Sequence, residues 1–445
     1  MSDPHSFQRE PRVTQVQGHH LLTRAYLIHA DGRWRMRASA VLLIVMVPLS
    51  LQAQTRPRAR DLGVVLEGTP GAYNAITDVV GVEVGHTTLI SGEGRLTVGR
   101  GPVRTGVTVI LPRGKTSSEP VFGAWFTLNG NGEMTGTTWL QEGGFVEDPI
   151  AITNTHSVGV VRDAILRWKV GRAGLQPWGL PIVAETYDGN LSDINGFHVK
   201  SEHVVAALNN AAGGRVPEGN VGGGTGMMCH QFKGGIGTAS RVLSAANGGY
   251  TVGVLVQCNY GLREDFRVAG VPIGEAITDL MPCISIADPA VRPRVPRCGT
   301  TTSSKASEDE IGSIIVIVAT DAPLLPHQLK RIATRVSLGI GRTGGFGGNG
   351  SGDIFLAFST ANAGAATSTG VTSVQMIPND RMNALFRQTV YATEEAIVNA
   401  MLAAKTMTGA DGYTAHALPS ARLQALFRAA RGLPRPPLAP TPNTR

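Results

Sequence analysis

Unbroken runs of β-branched residues, helical patterns between them, and a globular balance of apolar to charged residues predict a layered fold with sheet covered by helices. The balance is 42% hydrophobic to 16% charged residues over 445 positions, which excludes a chain too polar to bury a core. Strands are read at Val107–Leu111, Pro181–Ala184, Val252–Val256, Ile314–Ala319 and Ile354–Phe358. These runs are apolar throughout rather than alternating, so burial on both faces is expected. Helices are read at Val160–Val170, Val199–Ala212, Pro326–Val336 and Asp380–Thr408. The third opens on proline and sets Leu329, Ile332 and Val336 on one face. The fourth carries Ala392, Ala396, Ala400, Ala403 and Ala404, a small surface suited to close packing against a layer, broken by Glu394 and Glu395.

The net charge of +7 invites a nucleic-acid reading, but its distribution argues against one. Residues 1–60 hold nine Arg against Asp3, Glu10 and Asp31, and residues 422–445 hold five Arg and no acid, so the body between them is net −4. A nucleic-acid binder needs a basic stripe on its folded surface, and no nucleic-acid partner is expected here. The apolar run Ala40–Leu51 follows Arg35 and Arg37 and is followed by Gln52-Ala53-Gln54. It has the pattern of a signal peptide and is shorter than the roughly 20 apolar residues of a spanning helix. Residues 1–54 are therefore read as a leader for export to the periplasm or beyond, with no membrane span in the mature form. The competing reading is an N-terminal anchor or a buried strand. Residues 1–35 resemble no element, which leaves Met36 as an alternative start. Residues 55–60 read as an Arg/Pro linker, the folded domain as 55–431, and the proline-rich 432–445 as a disordered tail.

Cys229, Cys258, Cys283 and Cys298 show neither a CxxC motif nor a His–Cys spacing suited to zinc, and neither metal nor cofactor is expected. In an oxidising compartment Cys283 and Cys298 would close a small loop; four separate thiols is the competing reading. Two glycine-rich stretches, Gly219–Gly226 and Gly341–Gly352, read as tight turns or, alternatively, as anion or oxyanion cradles. Neither fits a Walker loop or a dinucleotide fingerprint. The segment 284–311 is long, polar and without apolar period, and it ends against Gly312-Ser313 and the run Ile314–Val318. It reads as a surface loop entering a strand, or as a place where the chain is cut.

Six stretches carry a resemblance: Glu185-Thr-Tyr187, Gly219–Met227, Phe232–Thr238, Gln257-Cys-Asn-Tyr260, Gly312–Leu324 and Gly350–Thr360. In this order, across about Asp61 to Leu423, they resemble the L-aminopeptidase/D-Ala-esterase and β-peptidyl aminopeptidase family. The resemblance implies an α+β fold, a four-layer αββα sandwich like that of N-terminal-nucleophile hydrolases with different connectivity. It implies self-cleavage between Gly312 and Ser313 into 55–312 and 313–431, with Ser313 the new N-terminal nucleophile, and assembly as a homo-oligomer, a tetramer of processed units. By resemblance Ser351 passes or orients the proton and Asp353, a position where relatives can carry Glu, holds that hydroxyl. Asn259 matches an oxyanion-hole amide, Tyr187 a phenol lining the site, and Glu185 a carboxylate that pairs with the substrate's free ammonium.

The chemistry suits these residue types. A serine hydroxyl needs a neighbouring base, and a terminal serine carries one in its own α-amine, whose ordinary pKa near 8 leaves a neutral fraction at physiological pH. The expected activity is removal of N-terminal residues from short peptides, amides or esters bearing a free amine, through an acyl-enzyme. The alternatives are an acyl transferase of the ornithine acetyltransferase type, where the nucleophile is threonine, and a non-catalytic binding protein of the same fold. The histidines offer no rival triad.

Overall fold

The computed structural model of the protein describes residues 56–170, 172, 178–286, 295–299 and 311–432. The leader, most of the 284–311 segment and the tail beyond residue 432 lie outside the described residues. In chain order the longer strands and helices are β1 (Glu83–Ser91), β2 (Val103–Leu111), β3 (Val121–Thr127), α1 (Thr137–Gly143), β4 (Phe145–Val146), β5 (Ile150–Asn154), α2 (Val158–Val170), β6 (Ile182–Thr186) and α3 (Ser201–Asn210). They continue through β7 (Met228–Cys229), β8 (Phe232–Lys233), β9 (Gly235–Val242), β10 (Thr251–Asn259), β11 (Arg267–Val268), β12 (Val271–Pro272), α4 (Ile273–Ala276) and β13 (Cys283–Ile284). The C-terminal part holds β14 (Ile311–Thr320), α5 (Pro326–Arg342), β15 (Gly350–Ser359), α6 (Asn383–Ala403), β16 (Met407–Thr408), β17 (Tyr413–Ala415) and α7 (Ser420–Ala430). The fold is thus mixed, with several sheets and, among the described residues, seven α-helices.

Two sheets dominate. One has four strands in the order β1-β2-β5-β6, the other six in the order β4-β3-β15-β14-β10-β9. In the six-stranded sheet β14 runs parallel to β15 and antiparallel to β10. Its residues alternate between two cores, as a period of two demands. Ile315 and Ile317 pack with Leu255, Ile354 and Leu356 against Ile110, Ile150, Ile152 and Ile182 of the four-stranded sheet. Ile314, Val316 and Val318 share a second core with Leu329, Ile332 and Val336 of α5 and Ala392, Ala396 and Ala400 of α6. A third core joins Val107, Val109, Ala151 and Val183 to Val161 and Ile165 of α2 and Val204 and Leu208 of α3. This double burial is why the strand sequences lack a polar face. Among the described residues no helix is long and apolar enough to cross a membrane.

Several expectations need revision. Residues 56–60 are not a loose linker. Ala59 is fully buried, Arg58 pairs with Glu218 at 2.9 Å, and Arg60 and Arg241 both reach Glu395 of α6, at 2.9 and 2.7 Å. Charge pairing with partners more than a hundred residues away is invisible in a local reading of Arg and Pro. The cysteines are not four separate thiols: Cys229 joins Cys258 across 29 residues, and Cys283 joins Cys298. The first glycine-rich stretch is a tight turn, as one reading had it, but a buried one and not an anion cradle. Gly222–Gly224 form a buried 3₁₀ turn, and a Cβ on Gly223 would lie 2.2 Å from Gln257 Oε1 and 2.7 Å from the Ile152 carbonyl. The N–H groups of Gly222 and Gly223 are already spent on Thr88 Oγ1 (2.9 Å) and Thr108 Oγ1 (3.1 Å). In the second stretch, Gly344 and Gly345 likewise donate to the carbonyls of Gly341 and Ile340 in the last turn of α5.

Candidate active site

The site is assembled by strand register. β14 starts three residues earlier than its apolar run, so the Gly312–Ser313 bond lies inside the sheet rather than at the mouth of a loop. Ser313 stands opposite Asn259 on β10. On its other side Gly312 stands opposite Ser351, Ser313 opposite Gly352 and Ile314 opposite Asp353, all on β15. Four of the expected residues, from stretches about fifty and forty residues apart in sequence, therefore meet on three adjacent strands. Gly312 is required by crowding: a Cβ there would lie 2.3 Å from the Asn259 carbonyl oxygen and 2.9 Å from Tyr260 Cα.

Ser313 is nearly buried, and its hydroxyl donates to the Gly312 carbonyl at 2.7 Å and accepts from Gly352 N–H at 3.3 Å. Ser351, fully buried, donates to Asp353 Oδ1 at 2.6 Å. The same oxygen accepts the Ile314 N–H at 3.2 Å, so the carboxylate touches the backbone immediately after Ser313. Burial raises the Asp353 pKa, opposed by hydrogen bonds from Ser351, Asn129 and Ile314. The shorter aspartate reaches Ser351 directly.

Asn259 presents its carboxamide in a fixed sense. Oδ1 accepts the Met228 N–H at 2.8 Å, and Nδ2 donates to the Tyr187 carbonyl at 3.1 Å. Tyr187 is thus tied to the site by its backbone, while its half-exposed ring lies over Gly189. Two residues earlier, at the end of β6, Glu185 is 3% exposed and accepts Thr155 Oγ1–H and the Glu133 N–H, the latter at 3.0 Å. Burial raises its pKa, with these bonds opposing. Glu185 belongs to the four-stranded sheet, yet Gly132 links it to the serine strand pair. A Cβ on Gly132 would lie 3.4 Å from Glu185 Oε1 and 3.1 Å from Gly352 Cα. Gln257 joins the same two sheets, donating through Nε2 to the Thr153 carbonyl (3.0 Å) and Thr186 Oγ1 (2.9 Å).

Sequence reasoning missed Asn129 and Thr155. Asn129 grips Asp353 at both ends: Nδ2 donates to Asp353 Oδ2 at 3.2 Å, and Oδ1 accepts the Asp353 N–H at 2.6 Å. Its only local signal was the Asn129-Gly-Asn131-Gly turn pattern after β3. Thr155 follows β5 without any motif.

Residues 74–415 match peptidase family S58. Beta-peptidyl aminopeptidase BapA of Sphingosinicella microcystinivorans is 55% identical over 382 residues, covering 85% of this chain and 93% of that protein. Among solved structures, a Burkholderia sp. beta-aminopeptidase shares 47% identity at a TM-score of 0.71, over 86% of this chain and 100% of that one. The L-aminopeptidase D-Ala-esterase/amidase of Ochrobactrum anthropi shares 45% identity at a TM-score of 0.74, over 85% of this chain and 100% of that one. That structure is described as a prototype for the serine aminopeptidases and a variant among the Ntn hydrolase fold. Fold and site together define a hydrolase, a serine aminopeptidase. The chain belongs to peptidase family S58.

Proposed function

We propose that the protein is exported and cuts itself between Gly312 and Ser313, and that the freed Ser313 removes N-terminal β-amino acyl residues from short peptides and amides. The observation that carries this reading is the register that sets Ser313 between Asn259 and the Ser351–Asp353 pair. In the intact chain the Ser313 hydroxyl already lies against the Gly312 carbonyl. Its attack there moves the acyl group from nitrogen to oxygen, and water hydrolyses the resulting ester to a Gly312 carboxylate and a free Ser313 amine. In the processed enzyme that amine, or Ser351 acting for it, takes the hydroxyl proton as Oγ attacks the substrate carbonyl. Asn259 Nδ2 donates to the developing oxyanion, a contribution of roughly 3–4 kcal/mol for one preorganised donor. The proton passes to the leaving amine, and water releases the acyl group. Asp353, held by Asn129, fixes Ser351. Tyr187 lines the site. Glu185 pairs with the substrate ammonium, which favours substrates carrying a free amine because a neutral group would leave a buried carboxylate unpaired.

The β-amino acyl preference rests on the names borne by the similar Sphingosinicella and Burkholderia proteins. Export is supported by the leader pattern and by two disulfides, which suit an oxidising compartment. The three cores support an αββα order of layers, and the processed units are read as assembling into a tetramer. Intact-mass analysis and N-terminal sequencing of purified protein test the reading together with hydrolysis of a β-alanyl amide. Two chains, one beginning at Ser313, are expected, and Ser313→Ala is expected to abolish both cleavage and hydrolysis. Fully active material that retains the 312–313 bond in every molecule overturns it.

A further inference from the structure

Lys233 has no part in the chemistry above, yet its side chain is completely buried. Among the described residues no carboxylate pairs with it. Its Nζ is held by three backbone carbonyls, Met227 at 2.7 Å, Gly234 at 2.9 Å and Gly224 at 3.3 Å. Burial pushes the amine down to about 7, and both its protonated and neutral forms can donate to carbonyls. A buried cation without a counter-charge is costly, and an apolar side chain of similar length would serve packing better. Its position therefore needs a reason beyond stability.

The reason lies in one peptide unit. The carbonyl of Met227 and the N–H of Met228 belong to the same planar amide. Lys233 Nζ donates to the oxygen of that amide, and its N–H donates to Asn259 Oδ1 at 2.8 Å. Met228 and Lys233 are also paired across β7 and β8. The chain of bonds runs from Lys233 through one amide to the carboxamide of Asn259. A donor on the carbonyl polarises the amide and strengthens its N–H, and it stops the plane from rotating. With Oδ1 pinned, the Asn259 carboxamide has one orientation and Nδ2 one direction.

We infer that Lys233 is a positioning residue for catalysis, holding the Met227–Met228 amide so that Asn259 keeps Nδ2 turned toward the developing oxyanion. This rests on the reading of Asn259 as the oxyanion donor.

The test is a double-mutant cycle on the full chain with a β-alanyl amide, normalised to the processed fraction, or read as the rate of self-cleavage where that becomes limiting. Lys233→Met alone is expected to lower kcat at least tenfold with KM within about twofold, while the cooperative melting transition is retained. In an Asn259→Ala background the same change is expected to cost less than twofold, because its route of action is gone. Lys233→Gln, which keeps a donor, is expected to recover part of the loss. Equal costs of Lys233→Met in both backgrounds, matched changes in kcat and KM, or loss of the folded state in both Lys233 variants overturns the inference. An Asn259→Ala enzyme with unchanged kcat instead fells the reading of Asn259, which separates the two failures.

Discussion

Gly312→Ala probes the strand geometry on which the proposed self-cleavage depends. The added methyl would sit 2.3 Å from the Asn259 carbonyl oxygen and 2.9 Å from Tyr260 Cα, both backbone atoms that no rotamer change can move aside. Ordinary contact needs about 3.4 Å or more, so β14 and β10 must part by roughly an ångström at the Gly312–Ser313 bond. Overpacking of this kind costs about 1–3 kcal/mol. If that cost falls on the aligned geometry that self-cleavage needs, cleavage slows by roughly 5- to 150-fold, at about 1.4 kcal/mol per tenfold. The perturbation should then vanish from the second reaction, since after cleavage residue 312 ends its own chain and can withdraw. A time course of precursor and products by electrophoresis gives the first rate. Amide hydrolysis per processed chain, expected within twofold of the parent, gives the second. Cleavage at the parental rate would refute the crowding argument, and a processed variant with weakened hydrolysis would refute the claim that Gly312 serves only the first reaction.

Two further outcomes concern buried carboxyls. Burial raises the Glu185 pKa, so acidification neutralises it before an exposed glutamate and removes the proposed partner of the substrate ammonium. The acid limb of kcat/KM is expected above the ordinary carboxylate range and to appear in KM, and Glu185→Gln should lower the plateau and abolish that limb. Asp188, fully buried and held by Asn154 Nδ2 at 3.0 and 3.2 Å, is pushed up to about 7 by burial. A folded pKa above the unfolded one means that stability falls as pH rises from about 4 to about 7 and then levels, by up to roughly 4 kcal/mol. Denaturant unfolding across that window should show Asp188→Asn without this slope, and parallel curves would contradict it.

The strands and helices were legible because this chain buries its main strands on both faces. A run such as Ile314–Val318 has one physical solution, the interior of a sheet between two covering layers. The ends were less legible. β14 begins at Ile311 because pairing with Asn259 and Gly350–Ser351 continues past the last apolar residue, a fact of register rather than composition. At the site, Ser313, Ser351, Asp353 and Asn259 were found through motifs rather than local physics, and the structure brings them together. Asn129 escaped because nothing in an Asn-Gly turn signals that its side chain will grip a carboxylate 224 residues away. The Arg58 and Arg60 pairs escaped for the same reason, since their acids stand on distant elements. The Cys229–Cys258 bond escaped because its partners stand on β7 and β10, 29 residues apart, with no motif between them to mark the pairing.

The strand order of the larger sheet has a consequence for a chain severed at 312–313. The downstream piece would supply β15 and β14, and the upstream piece β4 and β3 on one flank and β10 and β9 on the other. One polypeptide would be clasped on both edges by the other, with the Arg60–Glu395 and Arg241–Glu395 pairs riveting the same seam. Such halves would be interlocked: neither could leave without tearing two rows of main-chain hydrogen bonds, and neither holds the six-stranded sheet whole. Breaking the bond would thus create a carboxylate at Gly312 and an amine at Ser313 and leave the architecture standing.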